Sequence, residues 1–90
     1  MAEIKEERKR QDKKWGVQDH YPLEWCAILA EEVGEVNKAA FKGHLRVSHC
    51  SIFQTKCFDD YRKELIQVAA VAVAAVECID RYTIIVHRKR

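Results

Sequence analysis

The chain has 90 residues, which is enough for one domain and leaves only a small core to bury. Lysine and arginine number 16 and aspartate and glutamate 14, so the net charge of +2 does not indicate a protein that binds polyanions through its bulk charge. The apolar run 68–76 is shorter than the roughly 20 apolar residues that span a bilayer, so we expect no membrane segment.

The first predicted element is a charged helix within residues 1–14, which is rich in residues of high helix propensity. Gly16 is expected to end it, and Pro22 suits the first turn of the next helix. Positive charge is concentrated here and in the basic tail 83–90, whose β-branched start favours either a short strand or a frayed helix end. These basic ends either stay solvated or attract phosphate groups.

The second predicted helix covers residues 22–42 and is closed by Gly43. Apolar residues at steps of three and four define one face of it: Trp25, Leu29, Val33, Val36 and Ala40. The same helix carries Glu31, Glu32 and Glu35, which helical spacing makes neighbours. Like charges this close repel, so the cluster is either a solvated patch or a site that a cation neutralises.

The third predicted helix runs from residue 58 or 59 to Tyr82, after a loop over residues 43–57. Gln67 is the only polar residue within 65–76, and a helix that is apolar on every side must be buried on every side. A chain of this length cannot cover such a helix alone. We therefore expect a homodimer or a dimer of dimers that completes a four-helix core.

Four cysteines are present, none in CxxC spacing. Cys26 and Cys78 fall in apolar helical segments and are predicted to be buried. The loop region holds four residues of the type that bind soft metals: His44, His49, Cys50 and Cys57. Their spacing matches no usual zinc pattern, so reduced thiols in a cytoplasmic protein are the simpler account.

Carboxylates on the second and third helices are spaced so that they can converge. Glu32 and Glu35 are three residues apart and point the same way, and Glu64 with Gln67 repeats this spacing on the facing helix. Helical bundles build carboxylate–metal sites from facing helices in this manner. Mg²⁺ is the expected cation, because it prefers oxygen ligands and keeps substrate phosphates in its shell.

The sequence resembles the MazG-like, all-α nucleoside triphosphate pyrophosphohydrolases, whose pattern is EExxE followed by ExxD. Residues 31–35, EEVGE, match the first half, and Glu64 begins the second. The resemblance covers about residues 8–82, and some positions are similar to a small subgroup of phage and bacterial members: residues 10–20, Trp25, Ile28 with Leu29, and residues 64–72. The chain departs from the pattern at Gln67, which replaces the motif's Asp and offers a metal only a neutral carbonyl oxygen.

The resemblance implies a single domain over residues 1–90, with two long antiparallel helices and an N-terminal helix. It also implies Mg²⁺-dependent hydrolysis, with Mn²⁺ as the alternative metal. The substrate would be a nucleoside triphosphate, often a deoxy- or non-standard nucleotide, cleaved to the monophosphate and pyrophosphate by a metal-activated water. The motif carries over a set of roles: Glu32, Glu35, Glu64 and Gln67 as metal ligands, and Glu31 and Glu35 as catalytic carboxylates.

The nucleotide itself needs further contacts. Lys13 and Lys14 are candidates for the phosphates, Trp15 for stacking on the base and His20 for reading the edge of the base. Each has a structural alternative: solvated lysines, a tryptophan that packs at the turn, and a capping histidine.

Two other functions stay open. Because Gln67 removes a charge from the motif, the bundle could bind a nucleotide without hydrolysing it, or serve a purely structural role. A structural bundle whose basic ends contact nucleic acid is the least favoured interpretation, so a nucleic-acid partner is not expected.

Overall fold

The computed structural model describes residues 1–47 and 58–88, with side chains described for 1–45 and 58–82. Within these residues the protein consists of three helices: α1 (Ala2–Trp15), α2 (Pro22–Val47) and α3 (Asp59–Arg88). The predicted all-α class is therefore confirmed. No helix in the described part of the chain is long and apolar enough to cross a membrane.

The ends of the helices near the first connection follow local chemistry. α1 ends at Gly16, whose φ of +74° avoids a steric penalty because glycine lacks a β-carbon, and whose N–H donates to the Asp12 carbonyl at 2.8 Å. α2 begins at Pro22, as predicted. The cap is formed by the Tyr21 N–H, which donates to Glu24 Oε1 at 2.9 Å, and neither Asp19 nor His20 supplies it.

α2 extends further than the sequence indicated. It does not end at Lys42 but continues through Gly43, which is buried within the helix, as far as Val47. Glycine in a helix interior costs only about 1 kcal/mol relative to alanine, so it permits an end without forcing one. The remainder of the predicted loop, residues 48–57, lies outside the described residues.

α3 also extends further than predicted. It begins at Asp59 as expected, but it continues beyond Tyr82 to Arg88. Of the two alternatives for residues 83–86, the structure therefore shows the helix and not the strand. β-branched residues lower helix propensity only slightly, and adding residues to an existing helix is easier than starting a new one.

A thin core joins α2 and α3. Its buried side chains and the residues packed against them are Trp25, Val71, Ala74 and Cys78, with Ile28, Leu29 and Ala75. Trp25 near the start of α2 meets the C-terminal half of α3, whereas Glu32, further along α2, lies near Glu64. The two long helices therefore run antiparallel.

Burial differs from the sequence prediction at several positions. Cys78 is 1% exposed, as expected, but Cys26 is exposed because it follows Trp25 and points about 100° away around the helix. On the predicted apolar face, Val33 is 44% exposed, and Ala39 is buried more fully than Ala40. Of the four soft-metal candidates, His44 is exposed and the other three lie outside the described residues.

α1 packs against α3, and among the described residues its backbone stays apart from that of α2. Arg8 donates to Glu77 Oε1 from Nε at 2.9 Å, and Arg62 donates to both carboxylate oxygens of Glu3. A cleft is left between α1 and α2, with α3 along its base.

Candidate functional site

The cleft between α1 and α2 has a volume of about 1260 Å³. This exceeds the roughly 300–1,000 Å³ of typical small-molecule pockets, so it is an open groove large enough for a nucleotide-sized ligand. The residues that line it with polar or aromatic side chains include Glu7, Arg10, Lys14, Trp15, Glu32, Lys63 and Gln67.

Glu32 is at the centre of a group of carboxylates. It is half-buried, and burial is the largest cause that raises its pKa above the usual range. Glu64, Glu35, Glu31 and Glu7 raise the pKa further through repulsion between like charges. The acidic residues that the sequence predicted to converge are therefore within electrostatic reach of Glu32.

These residues are not equally placed. Glu32 and Gln67 line the cleft and are half-buried, whereas Glu31 and Glu35 are exposed, and Glu35 Oε1 lies 3.8 Å from Lys38 Nζ. In the described part of the chain, no three acidic, histidine or cysteine side chains are close enough to hold one metal ion together. The oxygen donors suit a hard cation, but the glutamate side chains would have to rotate toward each other to share it.

Glu7 is a member of this group that the sequence analysis missed. Its side chain is 15% exposed, it lines the cleft with Glu32, and Arg10 donates to its Oε1 at 2.9 Å. The less exposed positions of α1 recur at helical spacing: Ile4, Glu7, Arg8, Gln11 and Asp12. Because most of them are polar, hydrophobic periodicity could not identify the face that turns toward α3.

Of the three predicted substrate-binding residues at the end of α1, two line the cleft and one does not. Lys14 and Trp15 line the cleft, and Lys14 Nζ lies 4.7 Å from the centre of the Trp15 ring. Trp15 is 58% exposed, so it is available as a stacking surface and is not a core residue. Lys13 is exposed and is not among the residues that line the cleft.

His20 packs at the start of α2 and does not line the cleft. Its ring meets Trp25 edge-on, with centroids 4.9 Å apart, and its Nε2 lies 3.2 Å from Gln18 Oε1. Trp25 does line the cleft, and its buried Nε1 has no hydrogen-bond partner among the described residues. Trp15 and Trp25 therefore border the cleft, whereas His20 does not.

Comparison of the chain with protein-family models, with curated proteins and with solved structures finds no match in any of the three.

Proposed function

We propose that the protein is a Mg²⁺-dependent nucleoside triphosphate pyrophosphohydrolase of the MazG-like kind, acting on a deoxy- or non-standard nucleotide. The observation that carries the proposal is the position of Glu32, a half-buried carboxylate with other carboxylates around it, on the wall of a cleft that also holds cationic side chains. That combination suits a divalent cation together with a polyphosphate.

The need for a cation follows from the electrostatics of Glu32. Burial and each neighbouring carboxylate raise the pKa of Glu32, so the folded protein disfavours the charged form of this side chain. A hard cation bound nearby would favour the charged form of Glu32 instead. Glu32, Glu35 and Glu64 would hold Mg²⁺, with Gln67 contributing a neutral oxygen, and the bound ion would supply charge neutralisation and an activated water.

The remaining side chains of the cleft suit the other parts of a nucleotide. Lys14, Arg10 and Lys63 line it and can meet the phosphates, and the exposed face of Trp15 offers a stacking surface for the base. Glu31 lies close enough to Glu32 to affect its pKa and would orient the attacking water.

The proposal includes assembly of two or more copies into a four-helix core. Large apolar side chains on α2 and α3 remain exposed in the single chain: Val33, Leu65, Val73 and Val76. The radius of gyration is 16.6 Å, whereas a compact chain of this length would have about 12 Å. Leu65, Val73 and Val76 form an exposed apolar stripe along α3, and a second copy packed on this stripe would bury it.

A bundle that binds a nucleotide without hydrolysing it is the second candidate. Gln67 favours it, because this residue lies in the cleft and lacks the charge that a fourth carboxylate ligand would bring. Both candidate functions would use the same cleft, but only the first includes hydrolysis of the bound nucleotide.

The test of the proposed function is pyrophosphate release from a panel of ribo- and deoxynucleoside triphosphates, with and without Mg²⁺. We expect Mg²⁺-dependent release of pyrophosphate and the matching monophosphate. Glu32→Gln should reduce kcat/KM by at least about 100-fold, since removing a group that stabilises the transition state commonly costs that much.

Asp80→Asn is the matched control, because it removes one carboxylate from an exposed position of α3. Full turnover in Glu32→Gln would reject the site. Absence of turnover across the panel, with nucleotide binding retained, would favour the non-catalytic alternative.

A further inference from the structure

α1 is attached to the rest of the protein by charged contacts rather than by a core. The helix is described in full and none of its residues is buried. Arg62 donates to Glu3 at 2.5 and 2.7 Å, and Arg8 lies 2.9 Å from Glu77. The side chains of Glu3 and Arg62 are each more than half exposed, whereas Arg8 is 15% exposed and its partner Glu77 is 51% exposed. Exposed ion pairs contribute little stability, and α1 adds no buried residue to the core, so α1 is held less firmly than α2 and α3 hold each other.

The chain that follows α1 is fixed to α3. Arg81 Nη2 donates to Asp19 Oδ1 at 2.8 Å and to the Gln18 carbonyl at 3.2 Å. The buried Cys78 thiol donates to the His20 carbonyl at 3.6 Å. The connection therefore has an anchored end only a few residues beyond the last turn of α1.

Gly16 lies between the weakly held helix and the anchored segment. Its φ of +74° is a backbone conformation that glycine adopts readily, and no heavy atom comes within 4 Å of the place where a β-carbon would be. No neighbouring side chain is packed against this position, and the local restraint is the hydrogen bond from the Gly16 N–H to the Asp12 carbonyl, so the backbone can absorb a change of direction here as a hinge does.

We propose that α1 is a lid hinged at Gly16, which opens and closes over the cleft by breaking and re-forming its ion pairs with Arg62 and Glu77. In the closed position α1 supplies one wall of the cleft, including Glu7 and Lys14. Opening removes that wall and gives Glu32 and Gln67 wider access to solvent. The inference holds for any ligand of the cleft, so it does not depend on the proposed hydrolysis.

Opening of the lid can be measured by amide hydrogen exchange. An isolated helix of 14 residues is marginally stable in water, so an undocked α1 loses its hydrogen bonds and exchanges its amides rapidly. Salt screens exposed ion pairs, so the open population should grow with ionic strength.

The experiment is hydrogen exchange read by mass spectrometry on the full chain without ligand, at low and at high salt. We expect residues 2–14 to exchange faster than residues 65–78. High salt and Arg62→Gln should each raise the exchange rate of α1 by about two- to fivefold, the factor that one exposed ion pair supports, while α3 is unchanged.

Lys9→Gln is the matched control. It also removes one positive charge, but its ion pair with Glu6 lies wholly within α1. The lid would be ruled out if α1 exchanged as slowly as α3 at both salt concentrations, or if Lys9→Gln and Arg62→Gln had equal effects. The salt comparison uses the unaltered protein, so it stands even if a variant fails to fold.

Discussion

Arg8 and Glu32 show how differently the fold treats two charged side chains that are partly removed from water. Arg8 is 15% exposed, and its guanidinium is bonded to Glu77, Asp12 and Gln11. Glu32 is surrounded instead by groups of its own sign. A charge that loses water needs compensation, so Arg8 suits a structural role and Glu32 suits a binding role.

Gln67→Asp tests the role of the Glu32 neighbourhood directly. Without divalent cations, a further carboxylate at position 67, one helical turn from Glu64 and in the same cleft as Glu32, should lower the Tm by about 2–5 °C, because like charges at close spacing destabilise the fold. With excess Mg²⁺ the loss should be recovered and the stabilisation by Mg²⁺ should exceed that of the unaltered protein. Thermal unfolding with and without Mg²⁺ measures both effects.

Asp80→Asn and the unaltered protein are the references for that measurement. If Mg²⁺ stabilised Gln67→Asp no more than the unaltered protein, position 67 would not face a cation site.

At the level of the helices, α1 differs from α2 and α3 in the kind of contact that attaches it to the fold. α2 and α3 share buried apolar side chains, whereas α1 meets α3 through Glu3–Arg62 and Arg8–Glu77. The Arg62 hydrogen bond is the largest cause that lowers the pKa of Glu3, and attraction to Arg62 and to the chain's amino terminus lowers it further. Docking of α1 is therefore linked to pH.

The sign of this pH dependence follows from the lowered pKa. Because docking favours the ionised form of Glu3, its contribution is present above the ordinary value of 4.5 and is lost as the pH falls through the lowered pKa. We expect the amide signals of α1 to shift in an NMR titration at acid pH, with a midpoint below 4.5. In Glu3→Gln this step should be absent.

Glu6→Gln is the control for the titration, since Glu6 pairs only with Lys9 of α1 among the contacts given by the structure. An unchanged acid step in Glu3→Gln would show that another group controls the docking of α1.

At the level of the whole molecule, the thin core and the uncovered stripe on α3 have the same cause. A helix of 30 residues is about 45 Å long, and neither α1 nor α2 covers all of its apolar side chains. α1 turns a polar face toward α3, so it adds charge contacts rather than apolar burial. The remaining apolar surface is the reason to expect a second copy.

Val76→Glu should weaken that assembly. Val76 is 57% exposed in the single chain, so the substitution is tolerated there, but an unpaired carboxylate in an apolar interface costs roughly 3–5 kcal/mol. We expect the dissociation constant to rise by at least about 100-fold. Light scattering coupled to size exclusion should give a multiple of the 10.5 kDa chain mass for the unaltered protein and the mass of a single chain for Val76→Glu.

Leu23→Glu is the matched control, because Leu23 is 85% exposed near the start of α2 and lies off the α3 stripe. A monomeric unaltered protein at micromolar concentration would contradict the expectation.

The sequence by itself determined the three helices, where α1 ends and the other two begin, and the grouping of Glu31 and Glu35 with Glu32 along α2. These depend on local chemistry: Gly16 takes a positive φ, Pro22 suits a first turn, and helical spacing makes Glu32 and Glu35 neighbours. Local chemistry did not determine where α2 ends, because Gly43 only weakens a helix that its neighbours continue.

Only the tertiary structure decided which face of α1 meets α3, and with it the place of Glu7 in the cleft. Arg8 and Glu77 are 69 residues apart in the chain, and Glu3 and Arg62 are 59 apart. Many charged residues of the chain could serve as partners, and the choice between them depends on how the helices pack. Helix formation is a property of neighbouring residues, whereas the pairing of distant charges exists only once the helices are side by side.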